Sequence, residues 1–260
     1  MQDNRNSGIT NFFQQNKQAT TARLLLDYDG TLAPFQTDRF HAYPYPGVIP
    51  ILDRIIQANK TKVAIISGRP IKEIQNLLSP LENLEIWGAH GLEHISADGI
   101  YERAEIDPEV LSILQQAEDW LHQTELMSAA EIKPGGIAVH WRGLSEKETE
   151  RIQGHIQKGW SRFNDAPGIK LLSFDGGVEI RAAYPNKGDA IHAILAGLNS
   201  TIPIAFLGDD LTDEDAFRVL GNRGLSVLVR SDYRETAANA WLQPPQELIA
   251  FLESWAETFS

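Results

Sequence analysis

The sequence predicts an α/β protein, with a parallel sheet flanked by helices and a separate α+β unit inserted into it. Three observations carry that expectation. Strand-like apolar runs alternate with helical patterns in the first and last thirds of the chain, the signature of a parallel sheet. The middle third breaks that rhythm with helices and glycine-centred hairpins. Two of the apolar runs also end in paired carboxylates, at the sheet end where α/β proteins place their ligands.

In chain order, Ser7 to Gln18 reads as a short polar leading helix with Ile9, Phe12 and Phe13 as its apolar contacts. Strands follow at Arg23–Asp27, Lys62–Ser67, Leu84–Trp87, Pro203–Gly208, Leu225–Val229 and Ala240–Leu242. Helical patterns lie between and after them, near Val48–Asn59, Ile71–Leu78, Lys187–Leu198, Asp213–Leu220 and Pro244–Thr258. In the middle, Pro108–Thr124 and Leu144–Phe163 read as helices. One hairpin, Ala130–Ile132 with Ile137–Trp141, turns around Gly135-Gly136; a second, Ile169–Phe174 with Val178–Ala182, turns on Asp175-Gly176-Gly177. The expected division is a core of residues 1–103 and 185–260 with an insertion at 104–184.

Composition removes several function classes. The 260 residues are 42% hydrophobic and 22% charged, ordinary for a globular chain. A net charge of −12 argues against nucleic-acid binding, which normally needs a basic footprint. No apolar stretch approaches the ~20 residues that span a bilayer, and Met1 to Asn6 is polar, so the expected location is cytoplasmic with no membrane partner. With no cysteine there is no disulfide, thiolate nucleophile or cysteine zinc site, and any metal must be held by oxygen or imidazole.

The chemistry starts at Leu24-Leu25-Leu26-Asp27-Tyr28-Asp29-Gly30-Thr31. Side chains alternate along a strand, so Asp27 and Asp29 can point the same way at its exit, where two like charges call for a counter-cation. Gly30-Thr31 adds a tight turn with a hydroxyl and amides suited to phosphate oxygens, although a simple Asx-type turn would also use these residues. A second acidic run, Gly208-Asp209-Asp210-Leu211-Thr212-Asp213-Glu214-Asp215, leaves another apolar strand. Thr212 with Asp215 resembles a capping box, which accounts for the end of the run but not for Asp209-Asp210. If the two strands are neighbours, Asp27, Asp29 and Asp209 can converge on one hard cation, and oxygen-only ligation beside phosphate points to Mg²⁺. Lys187 opens the helix leading into the Asp209 strand and can supply positive charge there, or be a solvated surface lysine. Ser67-Gly68-Arg69-Pro70 joins a strand to a helix N-terminus, which is an anion site or an ordinary capped turn.

Taken in order, Asp27-Tyr28-Asp29-Gly30-Thr31, Ser67-Gly68-Arg69, Lys187-Gly188 and Gly208-Asp209-Asp210-Leu211-Thr212-Asp213 resemble the motifs of the haloacid dehalogenase superfamily of phosphatases. More narrowly, the chain is similar to the trehalose-6-phosphate phosphatase family. That likeness adds Gly88-Ala89-His90-Gly91-Leu92-Glu93, Ala138-Val139-His140-Trp141-Arg142, Val178-Glu179-Ile180-Arg181 and the block from Gly208 to Phe217.

The resemblance implies a Rossmann-like core with an inserted cap that opens to admit a sugar and closes during attack. It implies a Mg²⁺-dependent phosphatase with Asp27 as nucleophile and Asp29 as acid/base. The cation would be held by the Asp27 carboxylate, the Asp29 backbone carbonyl and Asp209. Thr31, Ser67, Gly68 and Lys187 would clasp the phosphoryl group; Asp213 would orient Lys187 or a metal-bound water, with Asp210 beside it. Arg69, His90, Gly91, Lys133, His140, Arg142, Glu179 and Arg181 would contact substrate, while His90 also suits a structural role beneath the site. Trp87 and the aromatic loop Phe40–Tyr45 read as packing. The family usually carries Lys-Pro where this chain has Arg181-Ala182, which leaves another glycosyl phosphate, such as a glucosylglycerol or glucosylglycerate phosphate, as an alternative substrate. A non-catalytic sugar-phosphate sensor or glycosyltransferase partner is a further alternative, and a separate glycosyltransferase (synthase) upstream in the pathway is the expected functional associate.

Overall fold

A computed structural model provides the structure; it describes residues 2–174 and 176–259, with side chains from residue 7 onward. Asp175, expected in the second hairpin turn, lies outside the described residues. The chain forms two compact units, Met1–Glu102 with Asn186–Ser260, and Arg103–Pro185.

The first unit opens with helix α1 (Gln2–Asn16), then β1 (Ala22–Leu26), α2 (Val48–Gln57), β2 (Thr61–Ile66), α3 (Ile71–Leu77) and β3 (Glu85–Gly88). Two short strands follow, β4 (Glu93–Ile95) and β5 (Tyr101–Arg103). The second unit holds α4 (Pro108–Gln123), β6 (Ala130–Lys133), β7 (Gly136–His140), α5 (Glu146–Trp160), β8 (Ile169–Phe174) and β9 (Gly177–Ala182). The chain then returns with α6 (Lys187–Ala196), β10 (Ile204–Gly208), α7 (Glu214–Leu220), β11 (Leu225–Val229), β12 (Ala240–Leu242) and α8 (Gln246–Phe259).

The large sheet runs β12-β11-β10-β1-β2-β3-β4-β5. Its strands from β12 through β3 are parallel, and β4 pairs antiparallel to β3. Every residue of β1 and of β10 is buried, as a strand covered on both faces requires. The covering helices show their inward stripe at helical spacing. Val48, Ile51, Leu52 and Ile55 are the buried positions of α2, and Leu248, Phe251, Leu252, Trp255, Ala256 and Phe259 those of α8. The chain winds outward from β1 through β2 to β3, then returns to β1's other edge and winds through β10 and β11 to β12. The order therefore reverses between β1 and β10, and such a switch point opens a crevice at the strands' carboxyl ends.

The second unit is a four-stranded antiparallel sheet, β6-β7-β9-β8, with α4 and α5 on one face. Alternation divides its strands cleanly. Ile137, Val139, Val178, Ile180 and Ala182 enter a core with Val110, Leu114 and Leu121 of α4 and Ile152, Ile156 and Trp160 of α5. The register sends the remaining positions, among them Glu131, Lys133, His140, Glu179 and Arg181, to the opposite face. A capping box at Ser145 and Glu148 starts α5.

Three readings of the sequence change. The leading helix ends at Asn16 rather than Gln18. β4 and β5 were not expected: each has three residues, and β5 is fully exposed, so neither shows an apolar alternation. The helical turn after Asp209 is capped by Asp210, whose partner in the box is Asp213, rather than by Thr212 with Asp215. Among the described residues, no helix is long and apolar enough to cross a membrane.

Candidate active site

The register of β1 and β10 sets the site. Leu26 is level with Leu207, and the Asp27 N–H donates to the Leu207 carbonyl at 2.8 Å, so Asp27 and Asp209 leave adjacent strands side by side. After Asp27 the chain curls back on itself: Leu32 and Ala33 both donate to the Tyr28 carbonyl, and Gly30 donates to Ala33. Gly30 holds φ +76°, and a Cβ there would lie 2.1 Å from Oδ2 of Asp209. Only glycine lets the first loop approach the second carboxylate so closely.

Asp27, Asp209 and Asp213 are all buried, and each offers a carboxylate oxygen within 4.8 Å of the others. The Asp213 carboxylate sits where a Gly208 Cβ would be, 2.4 Å from its Cγ. One Asp213 oxygen accepts from the Lys187 ammonium at 2.8 Å; the other accepts the N–H groups of Asp209 at 3.1 Å and Asp210 at 3.0 Å. Lys187 also donates to Asp27 Oδ1 at 2.7 Å, joining both acidic loops through one cation. It is the first residue of α6, held there by Asn186, whose side chain accepts from the Gly188 N–H at 2.8 Å while Asp189 bonds back to the Asn186 N–H at 2.8 Å.

The electrostatics follow from this crowding. Burial first, and then the neighbouring Asp213 and Asp29 charges, push the Asp27 carboxyl up to about 7 despite the opposing pull of Lys187. Burial and the Asp27, Asp213 and Asp210 charges raise Asp209 well above the carboxylate range. Burial disfavours charge on Lys187, but the two carboxylates it touches outweigh that and hold it protonated. Such an all-oxygen, buried and under-compensated pair, Asp27 with Asp209, fits a hard divalent cation. The Asp29 carboxylate faces elsewhere: Arg69 Nε reaches its Oδ2 at 2.6 Å and Nη2 its Oδ1 at 2.7 Å, a bidentate pair.

Two hydroxyl-bearing residues, Thr31 and Ser67, follow the neighbouring strands β1 and β2. Thr31 is wholly buried, and its Oγ1 has no hydrogen-bond partner among the described residues. Ser67, at the end of β2, accepts the Arg69 N–H at 3.1 Å and keeps its own proton for a further acceptor. A Cβ on Gly68 would lie 2.7 Å from the His90 ring, so His90 packs directly beneath this turn. His90 and Gly91 are buried, with Gly91 against the Asn186 carbonyl; both brace the loop and the start of α6.

Arg69, expected at the substrate, is engaged within the protein. Besides Asp29, its Nη1 donates to the Arg39 carbonyl at 2.7 Å, and its guanidinium lies 5.6 Å over the Tyr28 ring. The loop carrying Arg39 packs only in part as the sequence suggested: Tyr45 packs against the core, whereas Phe40 is 63% and Tyr43 57% exposed. Trp87 does pack, stacked on His94 with ring centroids 4.0 Å apart.

In the second unit the polar sheet face gathers another cluster. Lys133 Nζ lies 3.2 Å from Glu179 and 3.8 Å from Glu131, His140 Nε2 lies 3.0 Å from Glu131, and Arg181 Nε lies 3.9 Å from Glu179. Glu131 joins this group without having been singled out from the sequence; its two-residue spacing from Lys133 was the available signal. Arg142 follows β7 beyond the strand end, where the Gly176 backbone approaches its side chain.

Comparison with known proteins bears on these geometries. The model of the trehalose-phosphatase family matches residues 25–245, which includes both acidic loops, Ser67, Lys187 and all of the second unit. This chain belongs to the trehalose-phosphatase family. It is a phosphoric monoester hydrolase. A probable trehalose-phosphate phosphatase H of Arabidopsis thaliana is 29% identical over 256 residues, covering 90% of this chain and 71% of that one. Among solved structures, the C-terminal domain of the C. albicans trehalose-6-phosphate phosphatase shares the fold with a TM-score of 0.80 at 21% identity, over 96% of both chains. A haloacid dehalogenase-like hydrolase from B. subtilis shares it with a TM-score of 0.61 at 17% identity, over 90% of this chain and 99% of that one. The trehalose-phosphatase fold of this chain is thus a haloacid dehalogenase fold, with an acidic cluster at its switch point.

Proposed function

We propose that this chain hydrolyses trehalose 6-phosphate to trehalose and inorganic phosphate. The observation that carries the reading is the meeting of Asp27, Asp209 and Lys187 at the switch point of a chain whose family is the trehalose-phosphatases. The substrate named for the Arabidopsis and C. albicans proteins supports the choice of sugar.

An Asp27 carboxylate oxygen attacks phosphorus in line; its bond to phosphorus forms as the bond from phosphorus to the sugar oxygen breaks, and Asp29 protonates that departing oxygen. Water then attacks the phosphorus of the aspartyl-phosphate and gives its proton to Asp29, and Asp27 returns to a carboxylate. Mg²⁺, held by the Asp27 and Asp209 carboxylates and the Asp29 carbonyl, would supply charge neutralisation between the nucleophile and the phosphoryl group. Thr31 Oγ1, Ser67 Oγ, the Gly68 amide and Lys187 Nζ donate to the phosphoryl oxygens. Asp213 keeps Lys187 and the Asp209 loop in place, and Asp210 caps that loop. Arg69 must share or yield its hold on Asp29 when Asp29 moves its proton.

Sugar hydroxyls are assigned to Lys133, His140, Arg142, Glu179 and Arg181, which makes residues 104–184 a specificity cap on a core of 1–103 and 185–260. A different glycosyl phosphate is the second reading, favoured by Arg181, whose Nη1 is turned to the Ala182 carbonyl at 3.0 Å. Phosphate release from a panel of sugar phosphates, with and without a chelator, tests both. Fastest turnover of trehalose 6-phosphate, lost on chelation, is expected; equal or slower turnover than other sugar phosphates overturns the substrate assignment.

A further inference from the structure

The loop after β11 meets the Asp209 loop through arginine guanidinium groups, chiefly that of Arg234. Glu214, the first residue of α7, is buried and accepts from Arg234 Nη1, from Thr236 Oγ1 at 2.7 Å and from the Ala237 N–H at 2.9 Å. Burial would raise this carboxyl, yet those three donors more than offset it and hold it below its ordinary range. Thr236 is fixed in turn, its Oγ1 accepting from the Ala238 N–H at 3.1 Å. The other arm of Arg234 turns toward the site: Nη2 donates to the Asp210 carbonyl at 2.7 Å and reaches the Asp209 carbonyl at 3.4 Å. Arg230 Nη1 approaches the same Asp209 carbonyl at 3.5 Å.

The backbone of Asp209 and Asp210 is therefore held from two sides. Their N–H groups bond the Asp213 carboxylate, and their carbonyls bond Arg234. Bonds to both sets of backbone groups restrain the peptide planes and so fix the point from which the Asp209 side chain leaves the loop.

We propose that Arg234, seated on Glu214, is a positioning residue that aims the Asp209 carboxylate at the divalent cation. This rests on the cation reading above. Arginine suits the task because one planar fork reaches a carboxylate and two carbonyls together, which a lysine ammonium cannot do. Partners that orient a ligand from behind typically change metal affinity by roughly 10–100-fold when removed.

The test measures divalent binding to the full chain, by calorimetry with Mg²⁺ and by electron paramagnetic resonance with Mn²⁺, alongside cation-free melting. Arg234→Met and Glu214→Gln are expected to weaken binding by about 10-fold or more, with the lost phosphatase activity recovered at raised cation concentration and Arg234→Lys falling between. Thr236→Val, which removes one donor to Glu214, gives a milder change in the same direction and serves if the first two variants fold poorly. Unchanged cation affinity in the variants, with only a lower melting temperature, overturns the proposal and leaves Arg234 a loop tie. Absence of divalent binding by the wild-type chain, with hydrolysis intact, overturns the cation reading itself and the positioning role with it.

Discussion

Single atoms decide much of this site. On the proposed mechanism, Asp27→Asn keeps the volume and an oxygen for Lys187 but replaces the attacking carboxylate by an amide, so turnover of trehalose 6-phosphate is expected to fall below detection while circular dichroism stays native. Retained turnover would remove Asp27 from the nucleophile's place. Gly30→Ala makes a sharper claim, because its Cβ would lie 2.1 Å from Oδ2 of Asp209 at a φ of +76°. The carboxylate must move or the loop must open, and the expected result is a rise of about 10-fold in the Mg²⁺ concentration for half-maximal activity, read from a cation titration. At this scale the sequence was informative where chemistry is carried by residue type: Asp27, Asp209 and Lys187 meet as their positions implied. It was silent on direction. Nothing in Ser67-Gly68-Arg69 says that the arginine turns back to clasp Asp29, because that bond depends on a loop 40 residues away in the chain.

Among the elements, α6 is the one whose placement matters most, since its first residue is Lys187. The Asn186 cap satisfies the Gly188 N–H, and replacing an Asn cap by Ala typically costs about 1 kcal/mol. Asn186→Ala should lower the melting temperature modestly and also reduce kcat, since the helix start and the ammonium shift together; a loss of stability with kcat unchanged would show that Lys187 is held by its carboxylates alone. Elements with a long inward stripe, such as α2 and α8, were legible because four or more buried residues recur at helical spacing. β4 and β5 were not, since three-residue strands of Glu-His-Ile and Tyr-Glu-Arg owe their existence to pairing at a sheet edge rather than to any pattern of their own. The face of the second sheet shows the same limit. Alternation separates polar from apolar positions and sets Glu131 beside Lys133 on β6, but Glu131 meets His140 of β7 only through the β6–β7 register.

For the molecule as a whole, the buried acids link stability to pH and cation together. Asp27 is pushed up to about 7 from an ordinary 3.8, so between those values the folded, cation-free chain binds more protons than the unfolded one. Its stability from this group therefore falls as pH rises through that window. A divalent cation takes the deprotonated form and reverses the trend. The rise in melting temperature on adding Mg²⁺ should thus be larger near pH ~8 than near pH ~5, and Asp27→Asn should both raise the cation-free melting temperature and shrink the Mg²⁺ effect. Each kcal/mol relieved corresponds to roughly 2–4 °C for a chain of this size. Scanning calorimetry across pH checks the sign.

The switch point between β1 and β10 also governs how the protein is made. A ribosome that has released residues through Pro185 has supplied β1, β2 and β3 but not β10, so one edge of the central strand is still open. An open edge on a strand that is apolar apart from Arg23 is a template for pairing with other chains. Until residues 204–209 emerge, the nascent polypeptide thus has no Asp209 beside Asp27 and one edge of β1 unpaired. A product truncated before residue 204 is expected to be inactive and to need chaperone protection, whereas residues 204–208 close the edge and deliver Asp209 in one event.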